Sequence, residues 1–278
     1  MRLYIFLFLF IGAFKINAQT APNKTDEKGL KQGYWVKMNP TTGKPAYKGT
    51  FKDDKPVGVF KYYYSEIDTV KTIMDFRNNG TVGYATIFYM TGKKQAQGKY
   101  VNEKKDSIWT FYDDMGQLLS LETYKDGKKE GKSLVYLQNG EIADEKAYKN
   151  DLQHGPFKQY FEGKKLRGEG TYVDGKLVGK NCYYYPNGVP AAIGYYNDKG
   201  NKHGVWVYKD KDGKVTSKDV YENGRELNAK EADAWLLKNK GKEPKSEPSK
   251  ETKGKTTGSG KTSKAPAKST TPTKGTKK

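Results

Sequence analysis

Hydrophobic and polar positions between residues 33 and 224 repeat with a period of 24 to 25. Segments such as HGPFKQYF, HGVWVYKD, VGVFKYYY and DSIWTFYD share one frame, with starts at Gly33, Gly58, Gly83, Ser107, Gly131, Gly155, Gly179 and Gly204. Two positions on (+2) stand Trp35, Phe60, Ala85, Trp109, Ser133, Phe157, Asn181 and Trp206. At +5 stand Met38, Tyr63, Phe88, Tyr112, Tyr136, Tyr160, Tyr184 and Lys209. The sharpest column lies near +17: Phe51, Phe76, Tyr100, Tyr124, Tyr148, Tyr172, Tyr196 and Tyr221. It is aromatic in all eight units, in a chain where aromatics make up 13% of residues. Chance does not give that.

Each unit is long enough for two short strands. A middle turn carries Gly43, Gly92, Gly116, Gly140, Gly163, Gly188 or Gly213, and a second turn often reads Asn79-Gly80, Asp126-Gly127, Asp174-Gly175 or Asn223-Gly224. Asn-Gly and Asp-Gly supply the positive φ of tight hairpins, and the Tyr, Phe, Val and Thr between them suit a pleated, half-buried surface. Neighbouring hairpins then bury each other's aromatic columns. The fold class expected is all-β: an elongated single-layer antiparallel sheet of about eight β-hairpin repeats, with a short C-terminal helix and a disordered tail. Sixteen strands at the usual spacing would extend roughly 70 Å. Side chains at +2 and +4 share one face and +5 points to the other, so both faces carry aromatics.

This recurring order of Gly-x-Trp/Phe, Tyr, a glycine turn, an aromatic and a second glycine turn resembles the MORN-repeat variant family. In style it is similar to bacterial arrays labelled YwqK-type antitoxin proteins. The resemblance spans about Gly33 to Gly224. It implies a hairpin sheet used for binding, scaffolding or membrane association, with no chemistry of its own. Units here are longer than the usual MORN unit, and Ala85, Ser133 and Asn181 stand where an aromatic is expected.

The flanks differ in kind. Residues 1–18 read as a signal peptide: Arg2, an apolar run from Leu3 to Phe14, then Ile16 and Ala18 at −3 and −1, placing cleavage between Ala18 and Gln19. Residues 19–32 form a linker and 33–225 the array. Residues 226–240 suggest a capping helix, with Asn228 and Glu231 as a capping pair and Ala232, Trp235 and Leu236 along one side. Such a helix would fold over the last hairpin. Residues 241–278 hold eleven Lys and three Glu and lack every large apolar residue, so this tail should be disordered. Its Lys261, Lys264, Lys268, Lys274, Lys277 and Lys278 are candidate polyanion contacts. Of the net +19, the tail carries +8, residues 1–18 carry +2 and residues 19–240 carry +9, so positive charge is densest in the tail.

Candidate chemistry is sparse. One cysteine, Cys182, excludes an internal disulfide, and two histidines, His154 and His203, precede unit starts and so read as turn residues. Asp53-Asp54 and Asp113-Asp114 fall in or beside turns, where carboxylates are solvated. The sequence calls for no catalytic residues, no cofactor and no metal. The functional expectation is an exported, non-enzymatic binding or scaffold module located in the periplasm, outer envelope or outside the cell. Its partner would be a protein or an envelope component, lipid head group or glycan, met by the ladder Tyr63, Phe88, Tyr112, Tyr136, Tyr160 and Tyr184. The tail adds unspecific polyanion binding, and the mature chain has no integral membrane span. An antitoxin-like or secretion-system accessory protein is the alternative.

Overall fold

The computed structural model describes residues 22–241. The signal-peptide segment with Ala18 and Gln19, and the tail lysines from Lys261 to Lys278, lie outside the described residues. Within them the chain forms one open antiparallel sheet in which strands pair with their neighbours in sequence. Each unit contributes two strands of seven to nine residues, for example Lys31–Met38 with Pro45–Lys52 and Lys104–Tyr112 with Leu118–Lys125. The sole α-helix among the described residues, Ala229–Lys238, follows the last unit.

The tight turns are what their sequences demand. Asn79-Gly80, Asp126-Gly127, Asp174-Gly175 and Asn223-Gly224 all hold positive φ at both residues, the left-handed pair whose twist matches antiparallel strands. Asp53-Asp54 takes the same conformation at φ 51° and 62° without a glycine. Its carboxylates cap the neighbouring strand: Asp54 Oδ1 accepts from the Lys31 amide at 2.7 Å and Asp53 Oδ1 from Gln32 Nε2 at 2.7 Å. These are turn carboxylates with structural work.

The unit-start glycine has a role that the aromatic columns do not announce. It lies in mid-strand, not in a turn. Gly58, Gly179 and Gly204 have φ of 67°, 65° and 74°, and Ser107 is held at 61°. Each begins a bulge in which three residues stand opposite a single glycine of the preceding strand: Gly49, Gly170, Gly194 and Gly98 respectively. The third of the three is the +2 residue, which the bulge delivers onto that glycine. A Cβ at Gly49 would fall 2.3 Å from the Phe60 ring, at Gly98 2.3 Å from Trp109, at Gly194 2.1 Å from Trp206 and at Gly170 1.8 Å from Asn181 Oδ1. Glycine alone leaves room for a ring to lie flat there.

Unit 3 shows the converse. Phe76 pairs with Gly83 and Met74 with Ala85 without a register shift, and Gly83 has no positive φ. The strand opposite supplies a large side chain, so +2 is small. Large meets small in either direction, which is how close packing persists in so thin a sheet. Phe60, Ala85, Trp109, Ser133, Phe157, Asn181 and Trp206 are accordingly all buried.

The all-aromatic column packs edge-on against these residues. Phe51 and Phe76 flank Phe60 at 5.1 and 5.2 Å, Tyr100 meets Trp109 at 4.9 Å and Tyr196 meets Trp206 at 5.1 Å. Trp109 Nε1 donates to the Lys99 carbonyl at 3.0 Å and Trp206 Nε1 to that of Tyr195 at 3.1 Å, satisfying both buried indoles. Adjacent units are also tied by Tyr64, Tyr89 and Tyr185, whose hydroxyls donate to the Phe88, Tyr112 and Lys209 carbonyls at 2.7, 2.9 and 2.9 Å.

Short segments pair with part of each edge strand. At the first strand Asn23 acts as a short surrogate strand: its amide donates to the Tyr34 carbonyl, and its side chain donates to the Val36 carbonyl and accepts from the Val36 amide. At the last, Arg225–Glu226 pairs with Tyr221 and Glu222, and the helix follows. The capping box forms, with Asn228 Oδ1 accepting from the Glu231 amide at 3.0 Å and Glu231 accepting from the Asn228 amide at 3.1 Å. Trp235 meets His203 edge-on at 5.9 Å. Leu236 departs from the expected apolar side and is exposed, because only the Trp235 side reaches the sheet. The histidines depart too. His203 is a strand residue paired with Tyr195, and His154 sits at a bulge with Nδ1 3.2 Å from Asp174. The bulge continues the strand where sequence position suggested a turn.

Candidate binding faces of the repeat sheet

Strand alternation separates the side chains into two faces. The inner face carries the +2 residues, the +4 residues and the all-aromatic column. Two positions before a unit start, this face also receives lysines. Lys105 Nζ lies 4.6 Å from the ring centre of Trp109, 4.9 Å from Phe111 and 4.8 Å from Tyr124. Lys202 repeats the arrangement in the last unit at 4.6 Å from Trp206, 5.4 Å from Tyr208 and 4.8 Å from Tyr221. Lys31 does so in the first unit with Trp35 and Phe51, at 5.1 and 4.9 Å. Ammonium groups over ring faces are attracted by the negative quadrupole, the more so where water is excluded. Burial pulls the Lys105 ammonium below the usual lysine range; nearby Glu122 opposes that shift and Lys129 adds to it.

The outer face carries +1, +3 and +5. The ladder Tyr63, Phe88, Tyr112, Tyr136, Tyr160 and Tyr184 lies here, half-buried throughout. Much of it is engaged internally: Lys48 stands over Tyr63 at 5.2 Å and Lys94 over Tyr112 at 5.4 Å. Tyr160 and Tyr184 donate to Glu145 and Glu169 at 3.2 and 2.9 Å. Burial, then these carboxylates, pushes both phenols above the ordinary tyrosine value.

The more open residues are one column over. At +1, Tyr34, Val59, Tyr84 and Ile108 are 38, 56, 44 and 60% exposed, aligned across the first four units. Units 5 to 8 carry Lys132, Pro156, Lys180 and Val205 there in alternation, so the run of four consecutive large apolar residues at +1 ends at unit 4. Counting apolar residues at +1, where large side chains recur in units 1 to 4, would have found this stripe from sequence. Among the described residues no group of three or more His, Cys, Asp and Glu side chains is placed to hold a metal ion.

The MORN repeat variant family matches four stretches: 105–126, 153–174, 177–198 and 202–223. Each begins at the inner-face position two before a unit start and ends at a tight turn. The repeats belong to the MORN repeat variant family. MORN repeats typically mediate binding to proteins or membrane lipids. No helix among the described residues is long and apolar enough to cross a membrane. No curated protein matches the chain significantly. Among solved structures, the Photorhabdus luminescens Tc holotoxin pore is similar over 69% of this chain at 13% identity, with a TM-score of 0.18. TcdB2-TccC3-TEV is similar over 70% at 13% identity, with a TM-score of 0.15. The chain spans about 13% of the length of either. At those scores neither likeness adds to the MORN assignment.

Proposed function

We propose that this protein is an exported, non-catalytic MORN scaffold that holds a protein partner or cell-envelope component against the outer face of its sheet. The stripe of Tyr34, Val59, Tyr84 and Ile108 carries the reading, since four aligned apolar side chains left in water on consecutive units form a patch that a partner would cover. The half-buried +5 ladder lies on the same face and would border the contact. Beyond the stripe, Lys132 and Lys180 add isolated positive charges, Lys132 being paired with Glu145 at 2.9 Å. The tail, 241–278, supplies further positive charge for anionic surfaces.

Export rests on the N-terminal segment and requires a mature N-terminus at Gln19, which mass spectrometry of the secreted or envelope fraction reads directly. The binding face is tested by capture from envelope extracts with the full chain and with a Val59→Lys, Ile108→Lys variant. Loss of the captured component from a variant that keeps its circular dichroism supports the outer face. Equal capture by both proteins removes the stripe from the reading.

A further inference from the structure

The inner-face lysines expose a site by the place where one is missing. In units 4 and 8 the +2 and +4 rings run nearly parallel, Trp109 with Phe111 at 6.2 Å and 31°, and Trp206 with Tyr208 at 6.2 Å and 28°. The lysine two before the unit start lies over that pair and over the unit's own member of the all-aromatic column. Unit 2 builds the same walls. Phe60 and Tyr62 stand 6.2 Å apart at 27°, and Phe76 takes the part of Tyr124 and Tyr221 at 5.2 Å from Phe60. Yet the lysine position is Pro56; it also lacks lysine in units 3, 6 and 7 (Thr81, Gln153 and Leu177), but of these four only unit 2 has rings at both +2 and +4. With no internal ammonium to fill it, the notch is a cavity of about 530 Å³ walled by Tyr47, Phe51, Phe60, Tyr62 and Phe76. A second cavity of about 280 Å³ shares Tyr62 and Phe76 with it. Glu103, on a tight turn, lines both and is the one charged side chain in either lining.

We propose that this notch binds the ammonium group of a lysine side chain presented by another polypeptide. The protein itself shows what such walls accept: three of its own lysines occupy the equivalent space, their ammonium groups 4.6 to 5.4 Å from the ring centres. In a chain of net charge +19, a recess lined by aromatic faces and a carboxylate, with no basic residue, is set up for a cation. An anion would meet the ring faces and Glu103 unfavourably, and an apolar side chain would desolvate Glu103 without a counter-charge. An alkylammonium answers both: its methylenes lie along the rings and its head reaches the carboxylate. The notch is on the face opposite the exposed stripe, so this proposal stands apart from the outer-face reading.

The full chain is titrated with N-acetyl-lysine methylamide, with the same compound acetylated at Nζ, and with choline, while aromatic resonances are followed by NMR. The charged lysine compound should shift the Phe60, Tyr62 and Phe76 signals with a dissociation constant on the order of millimolar, as expected for a few cation–π contacts and one exposed charge pair. The Nζ-acetylated compound should leave them in place. Pro56→Lys provides the side chain internally, as Lys105 and Lys202 do, and should abolish the response. Glu103→Gln, which alters only a turn side chain, should weaken binding by about fivefold. Equal shifts from the acetylated compound, an undiminished response in folded Pro56→Lys, or a response to choline in preference to lysine would each overturn the proposal. Should Pro56→Lys not fold, an unchanged affinity in Glu103→Gln overturns it equally.

Discussion

The indole of Trp109 lies on the backbone of Gly98, so close that a single added methyl at residue 98 would sit 2.3 Å from the ring. Gly98→Ala is therefore expected to cost about 1–3 kcal/mol through overpacking, although alanine favours strands no less than glycine does. Trp109→Ala should cost about 3–5 kcal/mol. Because the two changes act on one contact, the double variant should cost clearly less than their sum. Urea unfolding of the four proteins measures this. Strict additivity would mean that ring and glycine do not form one packing unit.

The bulge that delivers Trp109 starts at Ser107, which holds φ 61° where other units use glycine. A side chain in that region costs roughly 1–2 kcal/mol. Ser107→Gly should thus raise stability by about 0.5–1 kcal/mol, the remainder being offset by glycine's greater unfolded freedom. Gly131→Ala, at φ 98°, should lower it by at least about 1 kcal/mol. Thermal melts give both signs.

Alkaline pH should unfold the array ahead of other changes. Burial, with help from Glu122 for Tyr124, from Tyr196 for Tyr183 and from Glu169 for Tyr184, raises these phenols above their ordinary value of 10.0. A raised folded pKa means the contribution is fully present below pH 10 and is lost as pH climbs toward the folded value. The urea midpoint should hold to about pH 10 and fall above it, with tyrosinate absorbance rising in step with unfolding. Tyr124→Phe should flatten the fall. A midpoint insensitive to pH between 9 and 11 contradicts the burial of these hydroxyls.

Removing residues 241–278 deletes eleven Lys and three Glu. If the tail is the element that meets polyanions, truncation after Lys240 should abolish most salt-sensitive binding to anionic vesicles and leave the β-rich circular dichroism unchanged. Binding that survives truncation would place the charge contact on the repeat array.

Much of this architecture was legible because the repeat is written in residue types with narrow conformational tastes. Aromatics every 24 or 25 positions fixed the frame, and Asn-Gly and Asp-Gly fixed the hairpins. The hidden part is relational. Ala85, Ser133 and Asn181 look like lapses at +2, yet Ala85 is small because Met74 faces it, and Asn181 fills space above Gly170. The facing column Gly49, Met74, Gly98, Glu122, Lys146, Gly170, Gly194 and Asp219 is glycine in four of its eight units, and those glycines opposite +2 could have been read. The unit-2 notch was legible only in hindsight. Pro56 draws no notice until Lys105 and Lys202 show what its position holds in the other units with rings at both +2 and +4.

The pairing of every strand with its sequence neighbour also bears on how the chain reaches this state. Ladder partners stand close along the polymer, the farthest being Val82 and Val101, so little loop entropy is spent before contacts reward it. A sheet of this size would ordinarily belong among slow folders dominated by distant pairings. Here contact order is set by the unit and not by the chain length, and structure can spread from any hairpin to the next as it becomes available. Assembly of the array is closer to zipping than to collapse.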